Sequence, residues 1–128
     1  MATNPKKHYI TARYDQAVDG DGTGGYPRTI TLAQTMTLPD NAIVNEVCLF
    51  CSAALSGTST TFAVNAGGVN VTAAVPEANM TLAAVVPADL VDAGGKATSA
   101  ADIKAVIGAA VLTAGAVDIT VGYFIGTV

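Results

Sequence analysis

Two cysteines three residues apart, Cys48-Leu-Phe-Cys51, first invite chemistry in this 128-residue chain, because Cys-x-x-Cys serves both thiol exchange and zinc ligation. Spacing and company argue against both uses. The pair lies inside an apolar, strand-prone run, and residues three apart on a regular strand point to opposite faces, which opposes a disulfide or a shared metal. The only other cysteine or histidine is His8. Ser52-Ala-Ala-Leu-Ser-Gly57 offers little of the helix that a thioredoxin-like motif needs. Buried, reduced thiols are the expectation.

Gly20, Gly22 and Gly25 match the spacing of a dinucleotide-binding loop. Such a loop must open a helix whose N-terminus receives the pyrophosphate, and Tyr26-Pro27 with a strand pattern follows instead. Asp19-x-Asp21-x-Thr23-Gly24 resembles the start of a calcium loop. Its twelfth position is Ile30, where a bidentate carboxylate should stand, which leaves at most a weak structural ion site. His8 lies in a polar N-terminal segment with no triad partner in view. Asp19/Asp21 and Asp89/Asp92 read as turn residues rather than acid–base pairs. Glycan binding is a natural use of a β-sandwich, but the chain has no tryptophan and its seven Tyr and Phe residues fall mostly on strand positions. No catalytic residue, no cofactor and no metal is expected, and the chain reads as a protein that is not an enzyme.

Composition narrows the partners. Hydrophobic residues make up 51% and charged residues 12%, with the excess in Ala, Val and Gly, small side chains suited to thin sheets and flat contacts. Part of that apolar surface is expected to face another subunit. The net charge of −4, with Lys6-Lys7 as the sole adjacent basic pair, opposes nucleic-acid binding, which needs a clustered positive face. Met1 is followed by polar residues rather than a secretory core, and the uncharged stretch Ala105 to Val117 is too short to cross a bilayer as a helix. Synthesis in a cytoplasm, as a soluble protein, is the expectation.

The elements that would position these residues are strands. His8 to Tyr14 sets Tyr9, Thr11 and Arg13 on one face and Ile10, Ala12 and Tyr14 on the other. A Gly-rich loop follows over Asp19–Gly25. Ile30, Leu32, Met36 and Leu38 then alternate with threonines, and after a turn at Pro39-Asp40-Asn41 a long segment, Ala42 to Leu55, requires a bend or bulge. Further strands are expected over Thr60–Asn65 and Val69–Val75. Asn79–Val86 reads as a strand, or Glu77–Val85 as a short helix, bounded by Pro76 and Pro87. Asp92–Ser99 is a loop. Ile103–Val111 is preferred as a strand over a helix that Gly108 would weaken. Thr113-Ala-Gly115 reads as a turn into a last strand carrying Val117, Ile119, Val121, Tyr123 and Ile125. With turn signals at roughly 8–12-residue spacing, the fold class is all-β. An antiparallel β-sandwich of jelly-roll type with about eight strands is expected, ahead of an immunoglobulin-like sandwich. Residues 1–8 form an N-terminal arm and 9–128 a single domain.

Two runs carry a further signal: Arg28-Thr-Ile-Thr-Leu-Ala-Gln-Thr-Met-Thr-Leu-Pro-Asp-Asn-Ala-Ile-Val44, and Leu112-Thr-Ala-Gly-Ala-Val-Asp-Ile-Thr-Val-Gly-Tyr-Phe-Ile125. With Leu55-Ser-Gly-Thr58 and Met80–Leu90 between them, they resemble small structural proteins of tailed bacteriophages over about Tyr26 to Val128. The resemblance implies a jelly-roll capsid decoration, cement or head-fibre protein. Such a protein is commonly a homotrimer, bound to the major capsid protein on the outer face of the virion shell, and the family has no catalytic residues to carry over. The arm is expected to reach a neighbouring subunit, with Asn4, Pro5, Lys6, Lys7 and His8 as the partner-contact residues. No nucleic acid, membrane or small-molecule substrate is expected. The competing reading is a receptor- or glycan-binding β-sandwich of adhesin or fibre type.

Overall fold

The structure is a computed structural model, and it describes residues 7–21, 25–57, 59–66, 69–90 and 101–125. It is almost entirely strand: β1 His8–Asp15, β2 Arg28–Thr31, β3 Thr37–Leu38, β4 Ala42–Gly57, β5 Thr61–Ala66, β6 Val69–Asn70, β7 Val75–Pro76, β8 Val85–Ala88, β9 Ala101–Gly108 and β10 Leu112–Ile125. These form two antiparallel sheets, one in the order β1-β10-β4-β8 and the other β2-β9-β5-β6, with β3 continuing along β9 and β7 along β5. Counting β2 with β3 and β6 with β7 as interrupted strands gives the eight that were expected. Except for β5 and the β6–β7 segment, which share a sheet, successive strands pass from one sheet to the other, giving a two-sheet antiparallel sandwich.

Alternation explains why these segments pair as they do. On β10 the side chains of Val117, Ile119, Val121 and Tyr123 are buried while Asp118 and Thr120 turn outward. A one-residue slip would invert that arrangement, so the buried set fixes the register. Ala12, Tyr14, Leu49 and Cys51 meet them from the same sheet, and Phe62, Val64, Ile103 and Ile107 close the core from the other. Tyr14 and Phe62 pack with ring centroids 5.6 Å apart.

Several local expectations need correction. The stretch Thr29–Leu38 is not one strand: the chain leaves β9 after Thr31, its Gln34 carbonyl accepts from the Arg13 amide at 2.9 Å, and pairing resumes at Thr37. Met36, expected to face inward, is therefore exposed. Thr113-Ala-Gly115 is not a turn but an irregular start of β10; the turn lies at Gly108–Val111, where Ala109 takes positive φ. Gly115, at φ 132°, marks the bulge, and a Cβ there would strike Leu55. Val69–Val75 is broken into the short β6 and β7. Asn79–Val86 is neither strand nor helix throughout: a 3-10 turn, Glu77–Asn79, precedes β8, and Pro87 sits within β8 because an edge strand tolerates a missing N–H. A four-residue helix, α1 Gln16–Asp19, was not anticipated; the Asp15 carboxylate caps it by accepting from the Ala17 amide. The expected loop Asp92–Ser99 lies outside the described residues.

Candidate functional site

The residues singled out for chemistry are held by structure instead. Asp19 and Asp21 fasten one side of the sandwich. Asp19 accepts from the backbone amides of Asp15, at 2.9 Å, and Ala33, at 2.8 Å, tying β1 to the excursion after β2. Asp21 is 14% exposed and accepts from Arg28 at 2.7 Å, from the Tyr26 hydroxyl at 2.8 Å and from the Leu112 amide at 3.1 Å. The Arg28 guanidinium lies 4.0 Å from the centre of the Tyr26 ring. Burial, then the bond to Asp21, pushes the Tyr26 hydroxyl above its ordinary pKa. Tyr14, buried deeper, donates to the Gly20 carbonyl at 2.7 Å, and burial raises its pKa strongly. Both carboxylates are thus occupied by amides, a hydroxyl and a guanidinium. Among the described residues no group of three His, Cys, Asp or Glu could hold a metal ion.

Cys48 and Cys51 are free and lie on opposite faces of β4. Cys51 is buried with its sulfur 3.9 Å from that of Met80, and burial pushes its thiol pKa up. Cys48 is half-buried on the outward face, opposite Thr120 of β10 and Pro87 of β8.

Of the residues expected to touch a partner, Asn4, Pro5 and Lys6 lie outside the described residues. Lys7 donates to Glu46 at 2.6 Å and stands 5.1 Å from the centre of the Tyr9 ring. The bond holds the Lys7 ammonium above, and the Glu46 carboxyl below, their ordinary pKa values. His8 is the first residue of β1 and stacks on Tyr123, its register partner, at 5.4 Å.

The outward face of the β1-β10-β4-β8 sheet is divided, a pattern that strand register alone reveals. One row across it runs Arg13, Asp118, Phe50, Val85, and the next runs Thr11, Thr120, Cys48, Pro87. The β1–β10 half is polar: Arg13 donates to Asp118 at 2.9 Å and to Ser52 at 3.1 Å, and the hydroxyls of Thr11 and Thr120 meet at 3.3 Å. Toward β8 the face is apolar at Phe50 and Val85, exposed side by side, while β4 also carries Glu46 and Ser52 on it. Sequence reasoning could not have found this half, because nothing in the spacing of Phe50 and Val85 announces that they pair. Where β8 meets the β6–β7 segment, a groove of about 180 Å³ is lined by Ala73, Val75, Pro76, Val86 and Asp89 among others, below the volume of a usual small-molecule site.

The site is thus an antiparallel sandwich whose Asp19 and Asp21 are engaged in holding the fold and whose β1-β10-β4-β8 sheet exposes Phe50 and Val85 side by side. Comparison with solved structures agrees in fold: the chain is similar to a chain of the capsid of Ralstonia phage GP4, at 21% sequence identity and a TM-score of 0.62, covering 94% of this chain and 86% of that one. No protein-family model and no curated protein matches the sequence.

Proposed function

We propose that the chain is a virion structural protein, a capsid decoration or cement protein that binds the outer face of the major capsid shell as a homotrimer and stabilises it. The observation that carries this reading is the near full-length fold match to a phage capsid chain. It is joined by the phage-like runs at Arg28–Val44 and Leu112–Ile125. Cementing needs many shallow contacts repeated by symmetry rather than a deep pocket, and an acidic sandwich with flat faces suits that task. In this reading residues 4–8 reach the neighbouring subunit, and the Lys7–Glu46 pair with the His8–Tyr123 stack fixes the root of that arm to the sheet.

The test is direct. Purified chain is mixed with isolated phage shells, and bound protein is measured by co-sedimentation alongside the thermal and osmotic resistance of the shells. Saturable, stoichiometric binding with raised resistance is expected. Absence of shell binding, together with measurable affinity for a glycan array, would replace this reading with the adhesin-type one.

A further inference from the structure

We propose that the free edge of β1, over Lys7 to Thr11, pairs antiparallel with the same edge of a second copy of this chain, joining two β1-β10-β4-β8 sheets into one. The direction in which the β1 backbone points carries the proposal. β1 runs beside β10 from His8 to Asp15 without a register shift, so residues that exchange bonds with β10 alternate with residues whose N–H and C=O point away from it. Arg13 and Asp15 are of the second kind: the Arg13 amide donates to the Gln34 carbonyl and the Asp15 amide to the Asp19 carboxylate, both at 2.9 Å. By the same alternation the N–H and C=O of Tyr9 and Thr11 point out of the sheet edge. Among the described residues none of these backbone groups has a partner.

Three observations single out this edge and its occupant. The first is length. The other strands that end the two sheets are blunted: β8 has four residues and contains Pro87, β2 has four, and β6 has two. β1 has eight, with neither proline nor bulge. The second is the guard. A lysine on an edge strand ordinarily discourages pairing. Here Lys7 is drawn away from the edge: its side chain crosses β10 over Gly122, with its Cε 2.8 Å from where a Cβ on that glycine would stand, and its ammonium is held by Glu46 of β4 at 2.6 Å. The third is self-complementarity. In an antiparallel pairing centred on Tyr9, each Tyr9 faces the other, Lys7 faces Thr11 and His8 faces Ile10. No like charges then stand opposite, and an aromatic pair lies on the two-fold axis. The Tyr9 residues exchange both backbone bonds, as do Thr11 and Lys7. Arg13, already bridged to Gln34, marks where the pairing ends.

A two-fold pairing closes on two copies, so within the proposed function it links one trimer to the next rather than forming the trimer, and it needs no shell. Sedimentation velocity of the whole chain from ~10 μM to ~1 mM covers the weak affinities of so narrow a contact. The wild-type mass should double with concentration. Tyr9→Pro and, separately, Thr11→Pro remove an N–H that points out of the sheet and leave the bonds to β10 in place, as proline on an edge strand allows. Each variant deletes one donor per copy and should weaken the association ~30-fold or more. Thermal melts establish that the variants are folded. Hydrogen exchange of the Tyr9 and Thr11 amides in wild type, read by NMR at both ends of the concentration range, should slow as copies pair, and it decides the matter should neither variant fold. Three results overturn the inference: a wild-type mass that never doubles, folded variants that associate as strongly as wild type, or amides whose exchange ignores concentration. Wild type that pairs but binds no isolated shell removes the shell reading and leaves this one standing; wild type that binds shells but never pairs does the reverse.

Discussion

The two sides on which the sandwich could gape are closed by different means. Along β1 and β2–β3, side chains do the fastening: Asp19 bonds two backbone amides, Asp21 gathers Arg28, Tyr26 and Leu112, and the Arg13 amide reaches the Gln34 carbonyl. Along β6–β8 the contact between sheets runs through backbone, with the Ala73 amide donating to the Asp89 carbonyl at 2.8 Å and Thr72 paired to Leu90. The first side consumes the acidic residues that looked most like a functional cluster. The second leaves Val85 and Leu82 in the open. Polar residues close together in sequence thus mark the side that is latched by side chains, and apolar residues far apart in sequence mark the side that, among the described residues, leaves them exposed.

If that contrast is right, the latched side is the more sensitive to substitution. Asp21→Ala removes the acceptor for three donors at a site 14% exposed, and should cost about 3 kcal/mol, or roughly 10 °C in melting temperature. A loss under about 0.5 kcal/mol would show that the latch is ornamental and break the comparison. Asp19→Ala frees two backbone amides that water can reach more readily, and should cost ~1–2 kcal/mol by denaturant titration. On the open side, Val85→Asp should change stability by under ~0.5 kcal/mol, since the residue is mostly solvated already.

Much of the fold was legible because it rests on alternation. Val117, Ile119, Val121 and Tyr123 declare both the strand and the face it buries, and the alternating Ile103, Ala105 and Ile107 identify β9 as a strand. Where one residue type serves two purposes, the pattern misled. Gly115 fits a turn or a bulge equally well, and only the approach of Leu55 decides. Pro87 reads as a boundary unless the strand is known to lie at an edge. The opposition of Cys48 and Cys51 needed nothing but strand geometry. The latch was hidden, because Asp21 meets Leu112 across 91 residues and no local motif encodes that meeting. The apolar strip was hidden for the same reason, since Phe50 and Val85 become neighbours only through the register of β4 against β8.

The smallest expected effect lies at the polar corner of the outer sheet and separates a surface pair from the latch. Glu46 and Lys7 are solvent-accessible, so their bond contributes little to stability, yet it holds the Glu46 carboxyl below its ordinary value. A carboxyl depressed in the folded state binds its proton more readily when unfolded. Its contribution is therefore fully present above the ordinary carboxyl pKa and is lost as pH falls through the lower folded value. Following the Glu46 side-chain carboxyl by NMR should give a midpoint below that of a model glutamate, and Lys7→Ala should return it to the ordinary value. The melting temperature at neutral pH should move by a degree or two at most. A Lys7→Ala variant that melted as early as Asp21→Ala would place the mechanical weakness of the sheet at the root of the N-terminal arm rather than along the latched side.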